Sequence, residues 1–367
     1  MNGPMVHGGR VHRWCAEDHR GPADILDFSA NLHPLGPPME VWRALEAALP
    51  LIRHYPDDTQ QHVKQVLAEY YDVEPDTLVC GNGATEVMEL IVRTIRPTRI
   101  WVLEPAFAEY EAIAQRMRIP VQSLPLSSTP QYNLPLAELD GQVRAGELVV
   151  LNTPHNPSGW HWPKATWFTA VKQWTQAGRY VLIDESFLDF LPDAALETTV
   201  REATVNPHWF TVKSATKLFA IPGLRFGFAI MHPTWADRIN TLRDGWSVNS
   251  LAQAAAAAAY RTAHWMHRTQ TWLSAEQAYI RDTWQRHPAI RVHPFSVNFF
   301  LVKCPAESAG QQLTTSLRQA GLYVRSCASF PTLDSSYLRI AIRSHEENVR
   351  LWETAAPMLE ALIDDRS

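Results

Sequence analysis

Through the middle of the chain, short apolar runs alternate with amphipathic stretches. Thr77–Cys80, Arg99–Leu103, Leu148–Leu151, Tyr180–Ile183, Trp209–Val212 and Arg225–Ile230 predict strands. Several are nearly continuous in apolar residues, as expected of strands covered on both faces. Between them the spacing predicts helices over Glu86–Thr94, Phe107–Arg116 and Trp167–Gln176. Such alternation argues for an α/β fold with a mostly parallel sheet flanked by helices. After about Asp244 the pattern changes. Ser250–Ala275 predicts one long helix, and its alanine run Ala254–Ala259 should permit close helix packing. Strands are then expected at Arg291–Pro294, Asn298–Val302, Tyr323–Ser326 and Tyr337–Ile342, separated by helices. The expected division is a large domain over 47–245. A smaller α+β domain would combine 1–46, with an N-terminal arm, and 246–367.

Composition narrows the function. With 367 residues, 46% hydrophobic and 19% charged, the chain can bury a large core. A net charge of −5 with mixed signs gives no basic footprint for nucleic acid and no polybasic membrane patch. No apolar run approaches the length of a bilayer span, and the first residues lack the apolar core of a signal peptide. Cys15, Cys80, Cys304 and Cys327 are scattered, so a disulfide framework is not expected and a reducing cytoplasm is. His7 and His12 near Cys15 match no closed zinc pattern, so no metal is expected.

Polar residues cluster just after the strands: Gly81–Thr85, Asn152–Asn156, Asp184–Ser186 and Ser214–Lys217. In an open α/β sheet the carboxyl ends of strands line the ligand crevice, so four segments distant in sequence should converge. A lysine just past a buried strand, here Lys217, can condense with an aldehyde cofactor. Lys213 is the competing lysine, but it lies inside the strand run with its side chain committed to one face. Gly83, Ala84 and Thr85 before a helix make an anion site of backbone N–H groups. Ser214 and Arg225 would complete a phosphate cradle. Asp184, at a buried strand end, needs a cationic partner, which a protonated pyridine nitrogen would supply. Asn156 can donate to a ring oxygen. Taken singly, each feature also fits a plain turn, a cap or a surface ion pair.

The order Asn152-Thr153-Pro154-His155-Asn156-Pro157-Ser158-Gly159, Asp184-Glu185, Ser214-Ala215-Thr216-Lys217 and Gly223-Leu224-Arg225-Phe226-Gly227 resembles the fold-type I pyridoxal-phosphate enzymes of the aspartate aminotransferase superfamily. Further runs resemble its histidinol-phosphate aminotransferase branch and, more closely, the threonine-phosphate decarboxylases of cobalamin biosynthesis. These runs are His7-Gly8-Gly9, Asp27–Asn31, Arg53-His54-Tyr55-Pro56, Trp246–Asn249, Val324–Ala328 and Leu338–Ser344. The resemblance spans nearly the whole chain. It implies the fold-type I transferase fold, pyridoxal 5'-phosphate as cofactor, a homodimer, and a small phosphorylated amino acid as substrate. In that likeness Lys217 holds the cofactor and moves protons, Asp184 pairs with the ring nitrogen, and Asn156 with the ring oxygen. Phe107 stacks on the ring. Ala84, Thr85, Ser214 and Arg225 bind its phosphate, with Tyr55 reaching in from a second subunit. His7, Gly8, Asn31, Arg325 and Arg339 bind the substrate's phosphate and carboxylate. Two departures stand out. Phe187 replaces a tyrosine that many aminotransferases have three residues after the aspartate, and Arg10 stands where the decarboxylases more often have asparagine. Two rivals remain: an aminotransferase acting on histidinol phosphate, and a non-enzymatic cofactor-binding regulator, which would want a DNA-binding module.

Overall fold

The computed structural model describes residues 7–127 and 132–364. A two-residue strand Leu26–Asp27 (β1) precedes the main sheet. That sheet has seven strands: Leu78–Asn82 (β2), Ile100–Glu104 (β3), Val121–Pro125 (β4), Leu148–Asn152 (β5), Tyr180–Asp184 (β6), Trp209–Ser214 (β7) and Phe226–Met231 (β8). Their spatial order is β2-β8-β7-β6-β5-β3-β4. Every neighbouring pair is parallel except the two made by β8. All six strands expected in the middle of the chain lie in this sheet, and alternate residues feed two cores. Val79, Val102, Val150, Leu182 and Phe210 pack on one face. Cys80, Leu103, Val149, Ile183 and Trp209 pack on the other. β4 was not expected: it is an edge strand with half-exposed, polar positions, so it shows no apolar run.

A second sheet holds Arg291–Val292 (β9), Phe299–Lys303 (β10), Arg325–Ser326 (β12) and Tyr337–Ala341 (β13), in the order β12-β13-β10-β9. The predicted strand over 323–326 divides. Leu322–Tyr323 (β11) pairs in parallel with β1, whereas Arg325–Ser326 turns to pair with β13. The expected long helix also divides, into Ser250–Tyr260 and Ala263–Asp282. Arg261 and Thr262 close the first with bonds to carbonyls three residues back, and Thr262 leaves helical geometry at ψ 83°. The alanines do allow close approach: Ala255, Ala256 and Ala259 are buried, and this helix packs on Met39–Ala48 and Gln61–Tyr71. No helix among the described residues is long and apolar enough to cross a membrane.

Strand direction places the site. β5, β6 and β7 run parallel and end together at Asn152, Asp184 and Ser214. β8 runs against β7, so its beginning, next to Arg225, lies at that same edge, where Ser214 faces Gly227. β2 opposes β8 in turn, which brings Asn82 and the helix Ala84–Ile95 alongside.

Candidate active site

At this edge lies a cavity of about 370 Å³. Of the residues singled out from sequence, His7, Ala84, Thr85, Phe107, Asp184, Ser214, Lys217 and Arg225 line it. Ser186 and Thr216, from two of the clusters expected to converge, line it as well, and Met88 and Glu109 were not anticipated.

Lys217 sits on a single helical turn, Ala215–Leu218, where a plain turn was expected. Its Nζ donates to Thr216 Oγ1 at 2.8 Å and to Ser214 Oγ at 3.3 Å. Burial brings its pKa down to about 8; Asp184 opposes the shift, and Arg225 and Arg339 add to it. A far larger fraction of the amine is therefore neutral near pH 7 than in an ordinary lysine, and the neutral form is the nucleophile.

Asp184 closes β6. Its Oδ1 accepts from Ser186 N at 2.9 Å and its Oδ2 from the buried Tyr110 hydroxyl at 2.5 Å. Phe107 stands one helical turn before Tyr110 and meets it edge-on at 5.7 Å. Opposite, the start of helix Ala84–Ile95 points its free N–H groups into the cleft beside Arg225. Gly83, at φ 87°, makes this close approach possible: a Cβ there would lie 2.5 Å from Arg225 Nη2. Gly227 plays the same part, since a Cβ on it would meet Ala84 N at 2.2 Å.

Asn156 does not line the cavity wall, but one hydrogen bond joins it to the second sheet. Its Oδ1 accepts from Arg339 Nη1 at 2.6 Å, which leaves its amide N–H₂ to donate. Arg339 Nη2 donates to Ser29 O at 2.6 Å, and its Nε has no partner among the described residues. Burial lowers its pKa to about 10. Arg325 pairs directly with Arg339 across β12 and β13, and both are buried. Residues directly opposite on an antiparallel pair lie on one face, where like charges repel. Asn31 is buried close in sequence to Ser29, and its Oδ1 has no partner among the described residues. Gly8 lies against Ser29, where a Cβ would meet the carbonyl oxygen at 2.2 Å, and Gly9 N donates to Ser29 Oγ at 2.8 Å. This seats His7 at the cleft, where its Nε2 lies 3.1 Å from Glu109 Oε1.

Tyr55 is elsewhere. It is 76% exposed and stacks on Trp246 at 4.2 Å, outside the cavity of its own chain. Phe187 is buried in the core, edge-on to Phe299 at 4.9 Å, so no hydroxyl reaches the ring-oxygen side from that position. A larger groove of about 750 Å³ is lined by Glu69, Asp72, Glu74 and Asp76, with Arg201 tied to Asp72 at 2.9 Å. That acidic wall suits no anionic cofactor.

The sequence matches the family of class I and II aminotransferases over residues 23–354. The chain belongs to that family. It is 32% identical over 348 residues to the threonine-phosphate decarboxylase of Salmonella typhimurium, covering 94% of each chain. A histidinol-phosphate aminotransferase of Symbiobacterium thermophilum is 29% identical over 335 residues, covering 91% of this chain and 90% of the relative. The crystal structure of histidinol-phosphate aminotransferase from Clostridium acetobutylicum superposes with a TM-score of 0.84 at 25% identity, over 92% of this chain and 100% of that one. As a member of this family the protein is an enzyme with the fold-type I architecture, and its cofactor is pyridoxal 5'-phosphate. The residues present fit that group: an amine of lowered pKa, a carboxylate held by two donors, and a glycine-walled anion cradle.

Proposed function

We propose that the enzyme decarboxylates O-phospho-L-threonine to (R)-1-aminopropan-2-yl phosphate and carbon dioxide, a product suited to the nucleotide loop of cobalamin. The observation that carries the substrate class is the facing pair Arg325 and Arg339. Two buried guanidiniums on one face of a strand pair set two positive charges at short separation. A phosphorylated amino acid brings a phosphate and a carboxylate at short separation.

Bound pyridoxal phosphate supplies an electron sink for the pair left when a bond at the substrate α-carbon breaks. The residues then divide the work. The N–H groups of Ala84 and Thr85, with Ser214 and Arg225, hold the cofactor's phosphate. Lys217 anchors its aldehyde and carries protons. Asp184 balances the charge of the ring nitrogen, Asn156 donates to the ring oxygen, and Phe107 covers the ring face. Arg339 takes the carboxylate, and Arg325 and His7 take the phosphate, with Gly8 and Asn31 shaping that end. Arg10, which lies close enough for its charge to bear on Arg325, strengthens the positive field there. With the cofactor bound, Arg339 would fix how the substrate's carboxylate is presented to it, and that orientation would select loss of the carboxylate over loss of the α-hydrogen.

The likeness to the Salmonella enzyme over 94% of the chain supports the decarboxylase reading, and Phe187 fits it. The similarity to histidinol-phosphate aminotransferases supports the second reading. We further propose a homodimer. Met39, Trp42, Leu49, Leu51, Ile52, Tyr55 and Trp246 expose apolar surface that a second copy would cover, and Tyr55 would then reach the partner's cofactor phosphate. The test is a product assay on O-phospho-L-threonine without any keto acid. Carbon dioxide should appear with one equivalent of amino-alcohol phosphate while the cofactor stays an aldehyde. Pyridoxamine phosphate formed with the carboxylate retained would favour the aminotransferase.

A further inference from the structure

We infer that Tyr110 is a positioning residue of this active site, acting through Asp184. The inference rests on the reading of Asp184 as the partner of the cofactor's ring nitrogen. Asp184 has two oxygens at the buried floor of the cleft. Oδ1 is fixed by Ser186 N at 2.9 Å, a contact local to the turn that follows β6. Oδ2 is fixed by Tyr110 Oη at 2.5 Å, from a helix 74 residues away in sequence. Without that second donor the carboxylate could turn about its own axis, and Oδ2 would lose its hydrogen bond from Tyr110. Tyr110 is 5% exposed, and burial, with the nearby charge of Asp184, holds its hydroxyl well above the ordinary phenol range. It therefore stays protonated and can only donate here.

With a donor on each oxygen, the carboxylate plane is held in one orientation, so that its charge faces the place the ring nitrogen would take. The same helix start also carries Phe107, which lines the cleft and packs edge-on against Tyr110. One short segment thus sets both the surface that covers the ring and the donor that aims its counter-charge. Phe187 contributes no hydroxyl on the ring-oxygen side, where Asn156 is the donor proposed above.

Tyr110→Phe tests this with a readout independent of substrate. The dissociation constant of pyridoxal phosphate should rise about tenfold, the size expected for losing one hydrogen bond to a charged group. In the Asp184→Asn background, the same change should add no further loss, because Tyr110 acts only through the carboxylate. Tyr110→His, which keeps a donor, should hold cofactor affinity within about threefold of the parent. Losses that multiply in the double variant, or an equal loss in Tyr110→His, would show a packing role and overturn the inference. A normal Asp184→Asn defect beside an unaltered Tyr110→Phe protein sinks it alone. An unaltered Asp184→Asn protein sinks the assignment of Asp184 and this inference together.

Discussion

Lys213 and Lys217 stand four residues apart, yet the fold puts them to opposite uses. Lys213 lies inside β7 and is fully buried on the face away from Phe210 and Val212. Its Nζ meets Glu185 at 3.0 Å and Asp189 at 2.9 Å, and lies over the Tyr71 ring. Burial alone would lower its pKa, but the two carboxylates outweigh that and raise it above the ordinary lysine value. Lys217 lies one turn beyond the strand end, half-buried, among hydroxyls and two arginines. There Asp184 offsets burial only in part, Arg225 and Arg339 add to it, and the pKa falls to about 8. The same residue type is thus locked as a permanent cation at one position and freed as a nucleophile at the other. Partners decide the outcome, since both lysines are removed from water.

The comparison can be broken at either lysine. Lys217→Ala should lower turnover by on the order of 10⁴-fold or more, with the urea midpoint nearly unchanged. A variant retaining a tenth of parental turnover would mean that the chemistry lies elsewhere. Lys213→Ala should do the reverse. It removes the cation that pairs with the buried Glu185 and the partly buried Asp189, and should cost about 3–5 kcal/mol of stability, read by urea unfolding of the cofactor-loaded protein. A loss below about 1 kcal/mol would show that the ion cluster is not the anchor claimed here.

A smaller effect is expected at the phosphate end. Gly83→Ala forces a side chain against Arg225 at a φ that L-residues rarely adopt. Pyridoxal phosphate should bind roughly 10–100-fold more weakly, with the affinity measured by equilibrium dialysis. Unchanged affinity would move the anion site away from this turn.

The smallest effect is the pH dependence of cofactor loading. The neutral amine of Lys217 is the reacting form, and its lowered pKa makes it available above about 8. The rate of reloading stripped enzyme should therefore rise about tenfold per pH unit below 8 and level off above it. A rise continuing to the ordinary lysine range would show that burial does not depress this group.

Much of this contrast could be read in the sequence, because strand ends are marked by a change from apolar to polar residues. Asp184, Ser214 and Lys217 follow apolar runs, and the sheet brings those ends together as expected. Contacts that depend on pairing register or on a distant helix face left no such mark. Tyr110 sits in the amphipathic pattern of its helix like any core aromatic, and only the folded chain reveals Asp184 beneath its hydroxyl. The facing of Arg325 and Arg339 depends on the chain changing partners at Val324, which split a strand expected to be continuous. The half-polar edge strand Val121–Pro125 and the helix break at Thr262 were hidden because neither alters the local hydrophobic pattern enough.

The most direct measurement is borohydride reduction of the cofactor-loaded enzyme followed by peptide mapping. Reduction makes the bond between cofactor and lysine permanent, so the modified residue identifies itself by mass. The pyridoxyl group should be found on Lys217, with Lys213 unmodified in its carboxylate cage. Recovery of the group on Lys213 would contradict the assignment of the two lysines and the active site built on it.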